Sequence, residues 1–187
     1  MYNLKKHSRL DIELAALRLS SAYQSINIAL AGLLDCTVIS VCSHADAPCT
    51  LNGMRKAVFV DKVLPVSSEG GSGTLYGALG NWNFRAMHDL GHVLYNKTVS
   101  SKDEKSLSIK LWRSLIRPVL KLSVSPSELL VCRDLYFADT YGQTLYYEQH
   151  SAFVPDQTKF ILELLCKQAA PAPVYLSETL SRVVEKR

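Results

Sequence analysis

The sequence predicts a mainly α-helical single domain of five to six helices, with one small β-hairpin in its N-terminal third. Three observations lead there. Apolar residues return every three or four positions over long stretches. Two of those stretches open with a capping box, in which a serine and a glutamate three residues later satisfy each other's backbone N–H groups. Runs of strand character are confined to residues 37–60. A chain of 187 residues can bury one full core and is short for two, so 1–187 is read as one domain. A hydrophobic fraction of 48% against 20% charged residues excludes a disordered chain.

Residues 8–34 form the first helix. Ser8 is its N-cap, Asp11 puts negative charge at the positive end of the helix dipole, and Leu10, Leu14, Leu17, Ala22 and Ile26 make its apolar stripe. Thr37–Val41 (T-V-I-S-V) and Ala57–Val60 (A-V-F-V) then pair as a hairpin across a turn-rich link that leaves His44 exposed. Residues 62–77 carry Pro65 and the cluster S-S-E-G-G-S-G, read as a mobile connection; a lid formed by 67–74 is the alternative, and the Lys-Ser/Thr of a P-loop is missing. A helix follows over 79–96.

Ser101-Lys-Asp-Glu104 is the first capping box and opens a helix running to about Leu122, bent or ended by Pro118. Ser125-Pro-Ser-Glu128 is the second, with Pro126 at the first helical position, and starts a helix reaching about His150. Asp156 behind Pro155 caps the next, so that 79–165 forms a helical core. Pro171 and Pro173 separate it from a C-terminal tail helix over 171–187.

A net charge of +4 with scattered lysines and arginines, densest at Lys5, Lys6 and Arg9, describes a solvated surface rather than a nucleic-acid groove, while still attracting acidic small molecules. Five cysteines, odd in number and without a C-x-x-C pair, exclude a zinc knuckle and a complete disulfide framework and fit a reducing cytoplasm. Cys132 and Cys166 sit among leucines as small buried hydrophobes. No signal-peptide pattern opens the chain, and the run Ile26–Leu34 is far short of the ~20 residues of a membrane span.

The chemistry concentrates in Asn83–Leu94, N-F-R-A-M-H-D-L-G-H-V-L. His88 and His92 stand four residues apart, so a helix places both imidazoles on one face within reach of one cation. The nearest anionic partner downstream is Glu104, giving a two-histidine, one-carboxylate set with positions left for water or substrate. Zinc, manganese or iron suits such ligands, and water bound to the ion becomes acidic enough to act as a nucleophile. Gly91, which costs about 1 kcal/mol in a helix interior, marks a close approach. Asp89 would bind the ion or orient its water, and Arg85 would pair with Asp89 or neutralise phosphate. Asp139 and Gln143, with Tyr147 at i, i+4 and i+8, would complete the pocket from a later helix. The plainer reading is that both histidines are surface residues or satisfied core donors. No cysteine nucleophile or serine elbow is evident, and Tyr136, Tyr141, Tyr146 and Tyr147 read as core aromatics rather than base-stacking platforms.

Met87-His-Asp-Leu-Gly-His92 resembles the H-D-x-G-H segment of the HD-domain phosphohydrolases. That resemblance implies a helical metal-dependent enzyme in which His88 and Asp89 bind metal and Leu135–Asp139 supplies the last aspartate; the family's upstream histidine could only be His7 or His44. The longer pattern F-R-A-M-H-D-L-G-H, then a helix-opening glutamate, then Y-G-Q-T-L-Y-Y-E-Q-H-S-A-F-V-P-D-Q-T-K-F, is similar to an uncharacterised group of small tailed-phage proteins over residues 82–165. It implies a phage origin, the host cytoplasm, and a site of His88, His92, Glu104 and Gln143. The expectation is a divalent-metal-dependent hydrolase of a phosphoester or nucleotide. The alternative is a non-enzymatic phage accessory protein that binds a host protein or nucleic acid, with a structural metal or none.

Overall fold

In a computed structural model the described residues are 6–166, so the expected tail helix at 171–187 lies outside them. The architecture is mainly helical with a two-stranded sheet. Helix α1 (Arg9–Leu33) starts at Ser8, whose side chain caps Asp11 N while Asp11 returns the bond to the Ser8 backbone. Its buried face differs from the expected stripe. Ile12, Ala15, Ala16, Leu19, Tyr23 and Ile26 face the core, whereas Leu10, Leu14 and Leu17 are exposed by 64%, 47% and 67%. Small alanines between the large residues let α1 pack closely on two partners, α3 and α6, and that double contact decides its orientation.

Strand β1 (Thr37–Val41) is where the sequence puts it, but its partner is β2 (Val63–Ser67), and the pair is parallel, with Thr37 opposite Val63 and Val41 opposite Ser67. The expected hairpin strand Ala57–Val60 is helical. Thr50 caps α2 (Leu51–Lys56) through Gly53 N, and the helix continues as a π turn over Ala57–Asp61 before Lys62, at φ 58°, reverses the chain. A short apolar run does not by itself distinguish strand from helix. Here Leu51–Asp61 serves as the helical crossover that a parallel pair requires.

Helix α3 (Gly77–Tyr95) packs on α1, α2, β2 and α4 (Ser101–Leu111). Helix α4 passes through a π turn (Trp112–Ile116) into α5 (Arg117–Leu120), so Pro118 neither ends nor sharply breaks the rod; the wider turn ahead of it absorbs the missing N–H. The capping box at Ser125 and Glu128 forms as expected and opens α6 (Pro126–Asp139). The expected single helix to His150 is interrupted at Thr140, whose hydroxyl turns back onto Tyr136 O, and resumes as α7 (Tyr141–His150). Asp156 caps α8 (Gln157–Leu165) at Lys159 N. Cys132 and Cys166 are buried, and all five cysteines are free thiols. Among the described residues no helix is long and apolar enough to cross a membrane.

The Gly-rich connection is held down. Arg85 donates to Ser67 O and Glu69 O at 2.9 and 2.7 Å, Trp82 to Val66 O at 3.2 Å, and Thr158 to Gly73 O at 2.7 Å. Those bonds make 67–74 a pinned link between β2 and α3, where the sequence suggests a mobile connection.

Candidate metal centre

Two close approaches build the site. Helix α3 carries Gly91 against α4, where an added Cβ would lie 2.9 Å from Leu111 Cδ2; the glycine lets α4 come near enough for its first turn to meet the histidines. The cap of α4 then frees Glu104. The sequence expects Ser101 as the cap and Glu104 as its reciprocal partner, but the cap is Ser100, bonded to Asp103 N, and Asp103 spends its carboxylate on Thr98 and Lys97. Shifted one residue from the capping position, Glu104 turns toward α3.

There its two oxygens divide between the two histidines. Oε2 lies 3.1 Å from His88 Nε2 and Oε1 lies 3.2 Å from His92 Nε2. All three ligand groups fall within 4.8 Å of one another, and they are the one such cluster of at least three among the described residues. A tetrahedral ion with bonds of ~2.1 Å has ligand atoms ~3.4 Å apart, close to these separations.

The C-terminus of α3 fixes the orientation of His92. Asn96 adopts the left-handed conformation at φ 51°, held by Arg55 on its side-chain oxygen, and Lys97 N closes onto His92 O at 2.9 Å. The same reversal brings Lys97 O to 2.8 Å from His92 Nδ1. A carbonyl only accepts, so Nδ1 carries the proton; Nε2 faces Glu104, donating to it when the ring is protonated and open to a cation when the ring is neutral. This backbone-anchored ring is the arrangement typical of a metal-binding histidine. His92 is 1% exposed, whereas His88 and Glu104 are partly open.

The electrostatics are those of a compact charge cluster. Burial favours the neutral form of Glu104, but hydrogen bonds and the charges of His88 and His92 win and hold its pKa down at about 2. Burial would lower the His88 pKa, and the bond to Glu104 with the nearby acids raises it instead. Burial pushes Asp89 up to about 6 against the pull of His88, His92 and Arg85.

His88 and Glu104 line a cavity of about 470 Å³. Asp139, Thr140, Gln143 and Thr144 also line it, with Phe84, Tyr147 and Phe153 supplying aromatic surface. Gln143 donates to Asp139 Oδ1 at 2.7 Å, Gln157 donates to the same oxygen, and Lys105 ties α4 to Glu148 on α7 at 2.7 Å. Burial raises the Asp139 pKa, opposed by these amides and by Tyr76.

The structure therefore brings together His88, His92, Glu104, Asp139 and Gln143. It places two others elsewhere: the Arg85 guanidinium is spent on the carbonyls after β2, and Asp89 is neither in the three-residue cluster nor on the cavity wall. Sequence reasoning missed Lys97 O, Gln157 and Phe153. Asn96, a residue suited to a left-handed helix end, was the signal for the first, and Gln157 directly after the Asp156 cap was the signal for the second. No family model, curated protein or solved structure matches the chain.

Proposed function

We propose that the chain is a divalent-metal-dependent hydrolase. The observation that carries this reading is the convergence of His88 Nε2, His92 Nε2 and both Glu104 oxygens beside a cavity large enough for a small molecule. In this reading the three side chains hold zinc, manganese or iron. A set of three protein ligands is that of catalytic rather than structural zinc sites. A divalent ion held there would supply a water acidified toward neutral pH for attack on an electrophilic centre, with Asp139 and Gln143 among the cavity residues that would position the substrate.

The phosphoester or nucleotide expectation rests on the HD-domain resemblance. Here Glu104 rather than Asp89 stands between the histidines, and Arg85 is turned away, so a phosphate group would have only the ion for its charge. Phage origin and host-cytoplasm location rest on the 82–165 resemblance alone. An accessory protein with a structural ion would call for a fourth protein ligand closing the ion off, and the cluster offers three.

The test is turnover by chelator-stripped protein reloaded separately with Zn²⁺, Mn²⁺ or Fe²⁺, on p-nitrophenyl carboxylic esters, anilides and phosphoesters. Metal-restored hydrolysis, abolished by Glu104→Gln, is expected. Hydrolysis indifferent to stripping, or none with any ion, contradicts the reading.

A further inference from the structure

Helix α1 is apolar on two opposite faces, and the domain buries one of them. Ile12, Leu19, Tyr23 and Ile26 are turned into the core, while Leu10, Leu14, Leu17 and Ile28 are exposed by 64%, 47%, 67% and 67%. At about 100° per residue these four fall within roughly 60° of one another, on the side directly opposite the buried one. A surface helix ordinarily carries its charges there, and a helix that is apolar all round is ordinarily buried. In α1 the charges stop early: no charged residue lies between Arg18 and Asp35. Large apolar side chains left in water in this way mark an interaction surface.

The spacing of the row identifies what covers it. Leu10, Leu14, Leu17, Ser21, Gln24 and Ile28 follow one another by four and three residues in turn, the period of a coiled-coil seam, over about 27 Å of helix. Its flanks are self-complementary. Glu13 stands just before Leu14 and Arg18 just after Leu17, the two positions that meet across a parallel pair of identical helices, so Glu13 of each copy faces Arg18 of the other. Both side chains are about half exposed; Glu13 accepts from Arg9, and Arg18 comes no closer than 3.7 Å to Glu128. The uncharged row itself brings no like charges together, as a face that mates with its own copy requires. Ser21 and Gln24 are a polar interruption of the kind that fixes register at some cost in stability.

The area is sufficient. The four large residues leave about 500 Å² open on each copy, so a pair buries about 1,000 Å² before the smaller residues between them are counted, which is the threshold for a specific interface. A groove of about 580 Å³ beside the row, lined by Leu14, Leu17 and Ser21 with Val119 and Leu120 of α5, gives the partner's side chains a recess to enter.

We propose that two copies of this chain associate in parallel through the Leu10–Ile28 face of α1, about a two-fold axis running along the helices. The experiment is sedimentation equilibrium of the full chain from about 1 to 200 µM, with circular dichroism and melting to verify each variant's fold. Wild type is expected to be a dimer, and Leu14→Glu with Leu17→Glu a folded monomer, since neither leucine belongs to the core. Glu13→Arg should weaken association about tenfold by setting two cations against each other, and adding Arg18→Glu should restore it to within about threefold of wild type. A wild type that is monomeric at 200 µM overturns the proposal, whether the face is then found to bind lipid vesicles or to be covered by the chain's own residues. A dimer that survives the two leucine substitutions overturns it too, and failure of the double charge exchange to restore association contradicts the parallel register.

Discussion

Two regions of this molecule place a histidine against a carboxylate at nearly the same distance, and they differ in everything around that contact. His7 Nε2 lies 2.9 Å from Asp134 Oδ2, and His88 Nε2 lies 3.1 Å from Glu104 Oε2. At His7 the arrangement is closed. The other oxygen of Asp134 is taken by its neighbour Arg133, both His7 and Asp134 are buried, and the His7 backbone bonds to Leu165 O, so the pair fastens the start of α1 to α6 and the end of α8. At Glu104 a second imidazole takes the other oxygen, a backbone carbonyl fixes that imidazole's proton, and a cavity begins where the side chains end. A histidine–carboxylate contact is therefore no indicator of chemistry by itself. The number of lone pairs that converge, and whether space adjoins them, distinguishes a fastening from a candidate centre.

The sharpest way to break this comparison is to disable each region and ask what is lost. Asp134→Ala strands a buried histidine and is expected to cost about 3–5 kcal/mol, roughly 10 °C in Tm for a chain of this size, with metal uptake unchanged. Glu104→Gln is expected to do the opposite. Zinc affinity should fall by more than the ~100-fold that losing a mere supporting residue costs, while the metal-free protein melts within a few degrees of wild type. Melting curves and zinc titrations on both variants check the pair, and a metal defect in Asp134→Ala would erase the distinction.

A smaller effect tests how the α3 end prepares His92. Asn96→Ala must hold the left-handed conformation at about 1–2 kcal/mol of strain, loosening Lys97 O from His92 Nδ1. Zinc affinity should fall about tenfold, and Asn96→Gly, free of that strain, should restore most of it. Gly91→Ala comes next: its Cβ would press Leu111, costing about 1 kcal/mol after the gain in helix propensity, and would weaken zinc binding severalfold by moving α4 off α3.

The dependence on pH separates the two states of the site. In the metal-free protein Asp89 is raised to about 6 from 3.8, and His88 is raised from 6.5, so both take up protons earlier in the folded state and stability grows as pH falls from neutral. Glu104 runs the other way: with a pKa of about 2 against 4.5, its contribution is present above 4.5 and is lost as pH falls toward 2. Thermal stability should therefore peak in the mildly acidic range. Zinc affinity should fall over that same range, because the proton on His88 competes with the ion. Melting and zinc titrations from pH 4 to 8 should give slopes of opposite sign; parallel slopes would show that the ion does not use His88.

Much of this could be read from the sequence, where the signals are local. The i, i+4 histidines, the downstream glutamate, the later Asp139 and Gln143, and the caps at Ser8, Ser125 and Asp156 depend on a few neighbouring residues and the helical period. What could not be read depends on distant packing. The exposed side of α1 is decided by α3 and α6, which meet Ala15 and Ala16 rather than the leucine row. Ala57–Val60 became helical because β1 found a parallel partner at Val63–Ser67. The one-residue shift of the α4 cap was settled by Thr98 and Lys97 competing for Asp103, and that shift freed Glu104.

The most direct test of the central claim is elemental analysis of untagged protein after exposure to zinc, comparing wild type with His92→Ala and Glu104→Gln. One equivalent of zinc in wild type, absent from both variants while their circular dichroism is retained, is the predicted result. Equal zinc in all three proteins, or none in any, would contradict a metal centre at His88, His92 and Glu104.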